Sequence, residues 1–405
     1  MHSKIHRKSH KRVLFFAEAV TLAHVTRPFS LAQCLHAREY EVHFACSRFD
    51  DFIFLDSHFL KYPIFSISPE RFRRNLAIGR PLYDFKTLER YVEEEVKLIK
   101  KIKPSVVVGD FRLSLSISCT LSNVPFVNIT NAHWSPRAPL PPTPPEHRVV
   151  RLLGTRLASR IFSRIWPFIA RLHAMPYDAV RKKYGCAPYR DLREHYTRGD
   201  VTGFADPPTL IPLPRLQINE RYIGPVLWSA PKPLPYRMRS LSAVGRRLVY
   251  VTMGSSGSDR SLPLIIKALR DLDFFLIVST AGRRCLASRD DPQVTWMPYV
   301  DGALAARLSD FVVCNGGSAS VYQALSEGKP VLGIPENMDQ VFTMSYVQHY
   351  GAGILLSHRN IHTGAIQSAV SRLLSSNMQA KALQLSREIA AHDYRKVFPE
   401  LLLQL

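Results

Sequence analysis

The sequence predicts an α/β protein with two doubly wound, Rossmann-like domains that face each other across a cleft. Short apolar runs of strand length alternate with helical segments, and this alternation occurs on both sides of a proline-rich stretch near the middle of the chain. Strands separated by helices imply parallel sheets with right-handed crossovers. A chain of 405 residues is long enough for two such domains.

The first half contains four apolar runs of strand type, at 13–16, 42–46, 106–108 and 126–129. Helical segments lie between them. One helix is predicted over 28–37, beginning at Pro28, and another over 88–101, with its apolar side chains along one side.

The second half repeats the pattern more regularly. Its apolar runs lie at 248–252, 274–279, 294–297, 311–314 and 331–334, with a possible sixth at 353–356. A helix is predicted over 262–269. Between the halves, the prolines of 211–241 interrupt any regular element. We therefore expect a first domain over residues 1–230 and a second over 231–405.

The composition favours a globular protein, with 46% hydrophobic and 21% charged residues and a net charge of +21. Such a charge attracts phosphate, nucleic acid or anionic lipid. No zinc-finger spacing, RNA-binding motif or basic region joined to heptads is present, so nucleic acid is the least favoured partner. None of the six cysteines forms a C-x-x-C pair, which favours buried free thiols over disulfides or zinc ligands.

The chain has a basic N-terminus, but the apolar run that follows it is too short for a signal peptide. No apolar stretch reaches the ~20 residues that span a bilayer. A cytoplasmic protein is therefore expected. Behind the rigid prolines of 139–145, the stretch 148–171 combines six arginines with apolar residues. It is either a basic amphipathic helix on an anionic membrane or an ordinary helix packed on its domain.

The most informative segment is 310–340, DFVVCNGGSASVYQALSEGKPVLGIPENMDQ. It predicts a strand, a turn at Asn315, Gly316 and Gly317, and a helix with Ser318 as N-cap. Free amides at such a helix start can bind phosphate. A second strand then brings Asp339 and Gln340 to the carboxyl edge of the sheet, where open parallel sheets bind ligands. Taken alone, the glycines also fit a plain tight turn.

A second glycine turn, MGSSG at 253–257, follows the first strand of the second half. Its backbone amides and hydroxyls, including those at Gly254 and Ser255, suit a diphosphate, although a plain flexible turn explains them equally.

The spacing within 310–340 resembles the nucleotide-sugar signature of the GT-B glycosyltransferases in the UDP-glycosyltransferase family. The matching positions are Asn315, Gly316, Gly317, Ala319, Ser320, Gln323, Ala324, Leu325, Gly328, Pro330, Asp339 and Gln340. Asn315 stands where the family more often has His, and Gln323 replaces a common Glu. The resemblance also implies that Trp296 and Met297 contact the nucleobase, for which core packing of Trp296 is the alternative. It further implies that the segment 378–405 bridges back to the first domain.

The resemblance assigns a catalytic base to His24, which is predicted to lie in the loop before Pro28. An imidazole has an ordinary pKa of about 6.5 and is largely a free base at neutral pH. Asp110, at the end of a buried strand, falls on the position of the carboxylate that orients this base. Capping of the next helix is the other explanation of Asp110.

Together these features predict an inverting glycosyltransferase that needs no metal and no cofactor. Its expected donor is a UDP- or dTDP-sugar, and its expected acceptor is a hydroxyl of a small hydrophobic or lipid-linked molecule. A sugar-nucleotide epimerase or hydrolase of the same fold is one alternative. A non-catalytic nucleotide-sugar-binding protein is another, since Asn315 and Gln323 depart from the family pattern.

Overall fold

The computed structural model describes residues 10–141, 155–257, 259–283 and 291–405. Its described strands form two parallel sheets. The strands of the first sheet are β1 (Lys11–Ala17), β2 (Tyr40–Cys46), β3 (Leu60–Pro63), β4 (Val106–Asp110), β5 (Phe126–Thr130), β6 (Val201–Phe204) and β7 (Glu220–Tyr222). Those of the second are β8 (Leu248–Thr252), β9 (Phe275–Ser279), β10 (Val294–Met297), β11 (Phe311–Cys314), β12 (Val331–Gly333) and β13 (Gly353–Leu355).

The strand order of the first sheet is β3-β2-β1-β4-β5-β6-β7, and that of the second is β10-β9-β8-β11-β12-β13. In both sheets the chain winds outward in one direction and then returns to wind in the other. The direction reverses between β1 and β4 in the first sheet and between β8 and β11 in the second. Ligands of doubly wound sheets bind at the carboxyl ends of the strands at such a switch point.

Helices cover the sheets. In the first half they are α1 (Ala23–Gln33), α2 (Asp51–Phe54), α3 (Pro69–Ala77), α4 (Phe85–Ile102), α5 (Leu115–Ser122), α6 (Thr155–Lys183) and α7 (Leu192–Thr197), with a 3-10 turn at Ala132–Trp134. The remainder are α8 (Tyr236–Ala243), α9 (Leu262–Arg270), α10 (Gly302–Leu308), α11 (Ser318–Ser326), α12 (Met338–Tyr350), α13 (Thr363–Leu373), α14 (Ser376–Ala391) and α15 (Tyr394–Leu402).

The fold class is as predicted, and the apolar runs of both halves are strands. The strands β3, β6 and β7, at the two ends of the first sheet, escaped prediction because they are short and lack a continuous apolar run. The start predicted for the first helix is wrong. The amides of Val25 and Thr26 both donate to the Leu22 carbonyl, so α1 begins at Ala23 and contains Pro28. His24 therefore lies in the first turn of α1, not in a loop.

Each sheet is buried on both faces. Phe15 of β1 and Phe311 of β11 have no exposed surface. The last helix, α15, packs on the first sheet, with the ring centroids of Phe398 and Phe15 6.1 Å apart. The Tyr394 hydroxyl donates to the Leu227 carbonyl at 3.2 Å, which ties α15 to the connection between the sheets. The predicted domain boundary near residue 230 falls in that connection.

Of the cysteines, Cys46, Cys119 and Cys314 are buried free thiols, while Cys34 and Cys186 are free and partly exposed. Cys285 lies outside the described residues, as does the beginning of the basic stretch 148–171. From residue 155 onward, that stretch belongs to α6.

Candidate active site

The imidazole of His24 and the carboxylate of Asp110 meet at the switch point of the first sheet. His24 Nδ1 lies 2.9 Å from Asp110 Oδ1. The Asp110 side chain is 1% exposed, whereas 19% of the His24 side chain remains exposed. Because β1 and β4 are adjacent and parallel, the start of α1 and the end of β4 lie at the same edge of the sheet. A bond at Nδ1 leaves Nε2 as the ring nitrogen that can take a proton.

The guanidinium of Arg27 also faces the Asp110 carboxyl group. Arg27 Nε lies 3.1 Å from Asp110 Oδ2, and Arg27 Nη2 donates to Asn131 Oδ1 at 3.2 Å. Arg27 is one helical turn after His24, so both side chains leave the same side of α1. Arg27 thus gives the buried side chain of Asp110 an oppositely charged neighbour, which offsets the cost of burying a charge.

Phe111 covers one face of the His24 ring. The two rings are stacked, with centroids 4.2 Å apart and planes 11° from parallel. Phe111 has a φ of 57°, in the left-handed region that bulky residues rarely occupy. Its ring is enclosed by Phe72 and Tyr196, at centroid distances of 5.9 and 5.4 Å. The uncommon backbone conformation brings the ring over the imidazole.

The next residue, Arg112, is fully buried between two carboxylates. Its Nη1 donates to Glu18 Oε2 at 2.8 Å and its Nε donates to Glu95 Oε1 at 2.7 Å. Burial raises the pKa of both Glu18 and Glu95, although Arg112 acts in the opposite direction. Because Glu18 directly follows β1 and Arg112 follows β4, this triad fixes the two strand ends that carry the dyad.

Facing this edge, the turn after β11 is held by the side chain of Asn315. Asn315 Oδ1 accepts from the Gly317 amide at 3.2 Å, and Nδ2 donates to Ser256 Oγ at 3.3 Å. Gly316 has a φ of 79°, and a Cβ there would lie 2.6 Å from Met344 Cγ. The turn after β11 and the turn after β8 are therefore joined at the second switch point.

Not all amides of this turn are available to a ligand. The Gly316 amide donates to Cys314 Sγ, and the Gly317 amide to Asn315. Gly317, rather than the predicted Ser318, is the N-cap residue of α11, and no side chain caps the helix. The amides of Ser318, Ala319 and Ser320 thus have no partner among the described residues, and they lie at the positive end of α11.

Asp339 is bound from across the cleft by two side chains that the sequence analysis did not select. His133 Nε2 and Trp134 Nε1 lie 3.0 and 2.9 Å from Asp339 Oδ1. The partial burial of Asp339 would by itself raise its pKa, but hydrogen bonds with His133 and Trp134 and the nearby imidazole of His24 lower the pKa to about 2. The side chain stays 44% exposed, so its Oδ2 can accept from a ligand.

The other predicted donor-binding side chains are engaged within the protein. Gln340 Oε1 accepts from the Glu336 amide at 2.9 Å and from the Asn337 amide at 3.4 Å, and the second bond belongs to a capping box on α12. Gln323 Nε2 donates to the carbonyl of Trp228 and to Ser229 Oγ. Trp296 packs on the core of the second sheet, and the Met297 carbonyl accepts from the Thr280 amide.

Direct contacts connect the two edges. The Leu22 amide, just before α1, donates to Ser255 Oγ at 3.1 Å, beside Gly254 in the turn after β8. Asn131 Oδ1 and Ser318 Oγ are 3.5 Å apart. The dyad and the start of α11 therefore line the same interdomain space. Ser320 is half-exposed there.

Arg27, His133 and Trp134 are the site residues that sequence reasoning missed. His133 and Trp134 directly follow β5, at the same carboxyl edge as Asp110. Applying the edge rule to every strand would have found them. Within the described residues, no group of three or more His, Cys, Asp or Glu side chains could hold a metal ion. No helix of that part of the chain is long and apolar enough to cross a membrane.

Two parallel sheets with facing switch points, one carrying a His–Asp dyad and the other an open helix start, define a GT-B glycosyltransferase fold. Residues 265–399 match the family described as erythromycin biosynthesis protein CIII-like, C-terminal domain. Spinosyn rhamnosyltransferase SpnG complexed with thymidine diphosphate has a TM-score of 0.65 and 19% identity, over 94% of this chain and 96% of that one.

Sequence comparison gives much nearer relatives. A PGL/p-HBAD biosynthesis glycosyltransferase of Mycobacterium tuberculosis (strain ATCC 25177 / H37Ra) is 40% identical over 386 residues, 94% of this chain and 88% of the relative. A PGL/p-HBAD biosynthesis rhamnosyltransferase of Mycobacterium bovis (strain BCG / Pasteur 1173P2) is 39% identical over 392 residues, 96% of this chain and 86% of the relative. The chain belongs to the bacterial UDP-glycosyltransferase family of GT-B enzymes, and it is a glycosyltransferase.

Proposed function

We propose that this glycosyltransferase moves a sugar from a UDP- or dTDP-sugar to a hydroxyl of a small apolar or lipid-linked acceptor, with inversion and without a metal. The observation that carries the proposal is the His24–Asp110 dyad facing the uncapped start of α11. His24, at the edge of the first sheet, can take a proton, and the free amides at the start of α11 can bind a diphosphate.

In the proposed step, His24 Nε2 takes the proton of the acceptor hydroxyl while the acceptor oxygen attacks the anomeric carbon. The bond from that carbon to the donor phosphate oxygen breaks, and its electron pair leaves with the nucleoside diphosphate. A single displacement inverts the anomeric configuration. Asp110 stabilises the imidazolium that forms. A positioned base of this kind contributes roughly 10²–10⁴ in rate.

The amides of Ser318, Ala319 and Ser320 are the donors we assign to the departing diphosphate. The positive end of α11 offsets the charge that develops there, which is the role usually supplied by a metal. Asp339 Oδ2 is assigned to a hydroxyl of the transferred sugar. The thymidine diphosphate named in the SpnG complex supports a donor of this class.

The acceptor class is supported by the aromatic wall beside the dyad. Trp134 stacks on Tyr196 at 4.3 Å, and Phe342 of the second domain lies 5.4 Å from Trp134. Phe111 continues this wall to His24.

His24→Ala tests the role of the base. We expect kcat to fall by about 10²–10⁴, with donor affinity unchanged in calorimetry. NMR of the product should show the anomeric configuration opposite to that of the donor, and a chelator should leave the rate unchanged. Donor consumption without an acceptor would instead favour the epimerase or hydrolase. Donor binding with no transfer by the wild type to any acceptor in a panel of phenols and lipids would favour the non-catalytic binding protein.

A further inference from the structure

Helix α6 (Thr155–Lys183) carries a stripe of exposed apolar side chains that no part of the described chain covers. Its members follow one another at intervals of three or four residues, so they lie on one side of the helix. They are Leu157, Ile161, Ile165, Phe168, Leu172 and Met175. The stripe is about 27 Å long. Surface apolar residues are usually scattered singly, so a continuous row indicates a contact with something else.

A row of positive charge lies beside the stripe. Arg160, Arg164 and Arg171 are exposed, and none of them forms an ion pair with a described residue. The sequence has no Asp or Glu from 147 to 177. From residue 155 to residue 177, the surface that α6 presents is therefore apolar and cationic, and this part of the helix has no acidic side chain to neutralise it.

The surface continues onto the end of α3 (Pro69–Ala77). His173 on α6 lies beside the Gly79 backbone, next to the exposed Ile78. Two further exposed arginines, Arg74 and Arg80, lie in this segment. The exposed apolar side chains and arginines of this surface thus come from two neighbouring segments of the first domain.

We propose that α6 lies in the plane of an anionic lipid surface, with the apolar stripe among the acyl chains and the arginines at the headgroups. A basic amphipathic helix with aromatic and aliphatic side chains on its other face binds membranes in this way. A second copy of the chain is a poorer occupant. Pairing α6 with itself would bring Arg160, Arg164 and Arg171 close to the same cations, with no acidic partner on the helix face.

The opposite side of α6 reaches the active site. Trp166 is buried, and its ring lies 6.2 Å from Phe342, which adjoins Trp134 and Asp339. Contact of α6 with lipid would therefore place the aromatic side of the cleft next to the bilayer. Only the step from this placement to capture of a lipid-linked acceptor depends on the proposed function.

Binding of the full chain to vesicles tests the proposal without any assay of activity. We expect sedimentation with vesicles of 70% phosphatidylcholine and 30% phosphatidylglycerol, with much weaker binding to phosphatidylcholine alone and at 0.5 M salt. Phe168→Ser with Met175→Ser, the two most exposed members of the stripe at 67% and 58%, should weaken binding at least tenfold. The triple change of Arg160, Arg164 and Arg171 to Gln should weaken it about a hundredfold.

Matched controls come from other exposed positions. Leu55→Ser with Val244→Ser removes apolar groups of similar exposure, 77% and 73%, and should leave binding unchanged. Changing Arg38, Arg239 and Arg372 to Gln removes the same charge elsewhere and should have a much smaller effect. Absence of binding to anionic vesicles, or equal losses in test and control variants, would overturn the proposal. So would a wild-type dimer in size-exclusion chromatography that Phe168→Ser with Met175→Ser dissociates, since the stripe would then be a protein interface.

Discussion

At the switch point of the first sheet, the site is formed by side chains that contact one another. At the switch point of the second sheet, side chains instead hold the backbone of a turn in place. The ionisable side chains of His24, Asp110 and Arg27 meet at a largely buried edge of the sheet. Asn315 and Gly316 instead shape a turn whose amides face the cleft. The activity of the first site should therefore be sensitive to the loss of an ionisable group, and donor binding at the second site should be sensitive to an added Cβ.

Asp110→Asn should have the largest effect. The amide keeps the shape but cannot hold His24 in the same tautomer or stabilise the imidazolium, so kcat should fall by roughly 10³–10⁴. Donor affinity should stay as in the wild type. Asp178→Asn is the matched control, because Asp178 also binds a histidine, His195, at 3.1 Å but lies outside the cleft. Steady-state kinetics and calorimetry measure both quantities. An equal loss of kcat in the two variants would show that Asp110 only stabilises the fold.

Arg112→Met should cost about 3–5 kcal/mol in the free energy of unfolding, because it leaves Glu18 and Glu95 buried without a cation. The pH dependence has a definite sign. A carboxyl whose pKa is raised in the folded state stabilises it at low pH, and that contribution is lost as pH rises above the ordinary value of about 4.5. The variant should therefore lose stability from about pH 4.5 upward.

Urea denaturation of the Arg112 variant at several pH values measures this slope. Adding Glu18→Gln and Glu95→Gln should remove most of the pH dependence. If the free energy of unfolding of the Arg112 variant did not depend on pH, the loss of Arg112 would not have raised the pKa values of Glu18 and Glu95 in the folded state.

Gly316→Ala addresses the second site. A φ of 79° and a clash of 2.6 Å with Met344 Cγ should cost about 1–3 kcal/mol, part of it as weaker donor binding when the turn moves. Gly245→Ala is the control, since Gly245 has a φ of 75° but an added Cβ there would have no atom within 4 Å. Calorimetric titration should show lower donor affinity only for Gly316→Ala. Equal affinity in both variants would exclude the turn from donor binding.

The same contrast explains what the sequence could and could not predict. The strands and the turn after β11 depend on local patterns, namely apolar runs and glycines, which are visible in the sequence. Asp110 was found because it directly ends an apolar run. The strands β6 and β7 were missed because their pairing partners, not their composition, make them strands.

Within the site, the sequence could not predict which hydrogen bonds the folded chain completes. Gln340 and Gln323, assigned to the donor by the resemblance, form hydrogen bonds within the protein that have no sequence pattern. Their contact with the donor stays a prediction. The contacts of His133 and Trp134 with Asp339 join residues more than 200 positions apart. The edge rule could have selected His133 and Trp134 after β5, but their pairing with Asp339 across the two domains leaves no local signal in the chain.

Phe111→Leu should have the smallest effect and gives the finest test of the first site. Leucine keeps apolar bulk but loses the stack on His24, an interaction of about 0.5–1.5 kcal/mol. We expect kcat to fall about 2- to 13-fold with donor affinity unchanged, because the imidazole is then free to tilt away from the acceptor. Phe111→Tyr keeps the stack and should restore most of the rate. Phe72→Leu, which removes a ring that touches Phe111 but not His24, is the control. If Phe72→Leu lowered kcat as much as Phe111→Leu, the effect would come from general packing. The stack of Phe111 on His24 would then have no separate part in holding the imidazole in place.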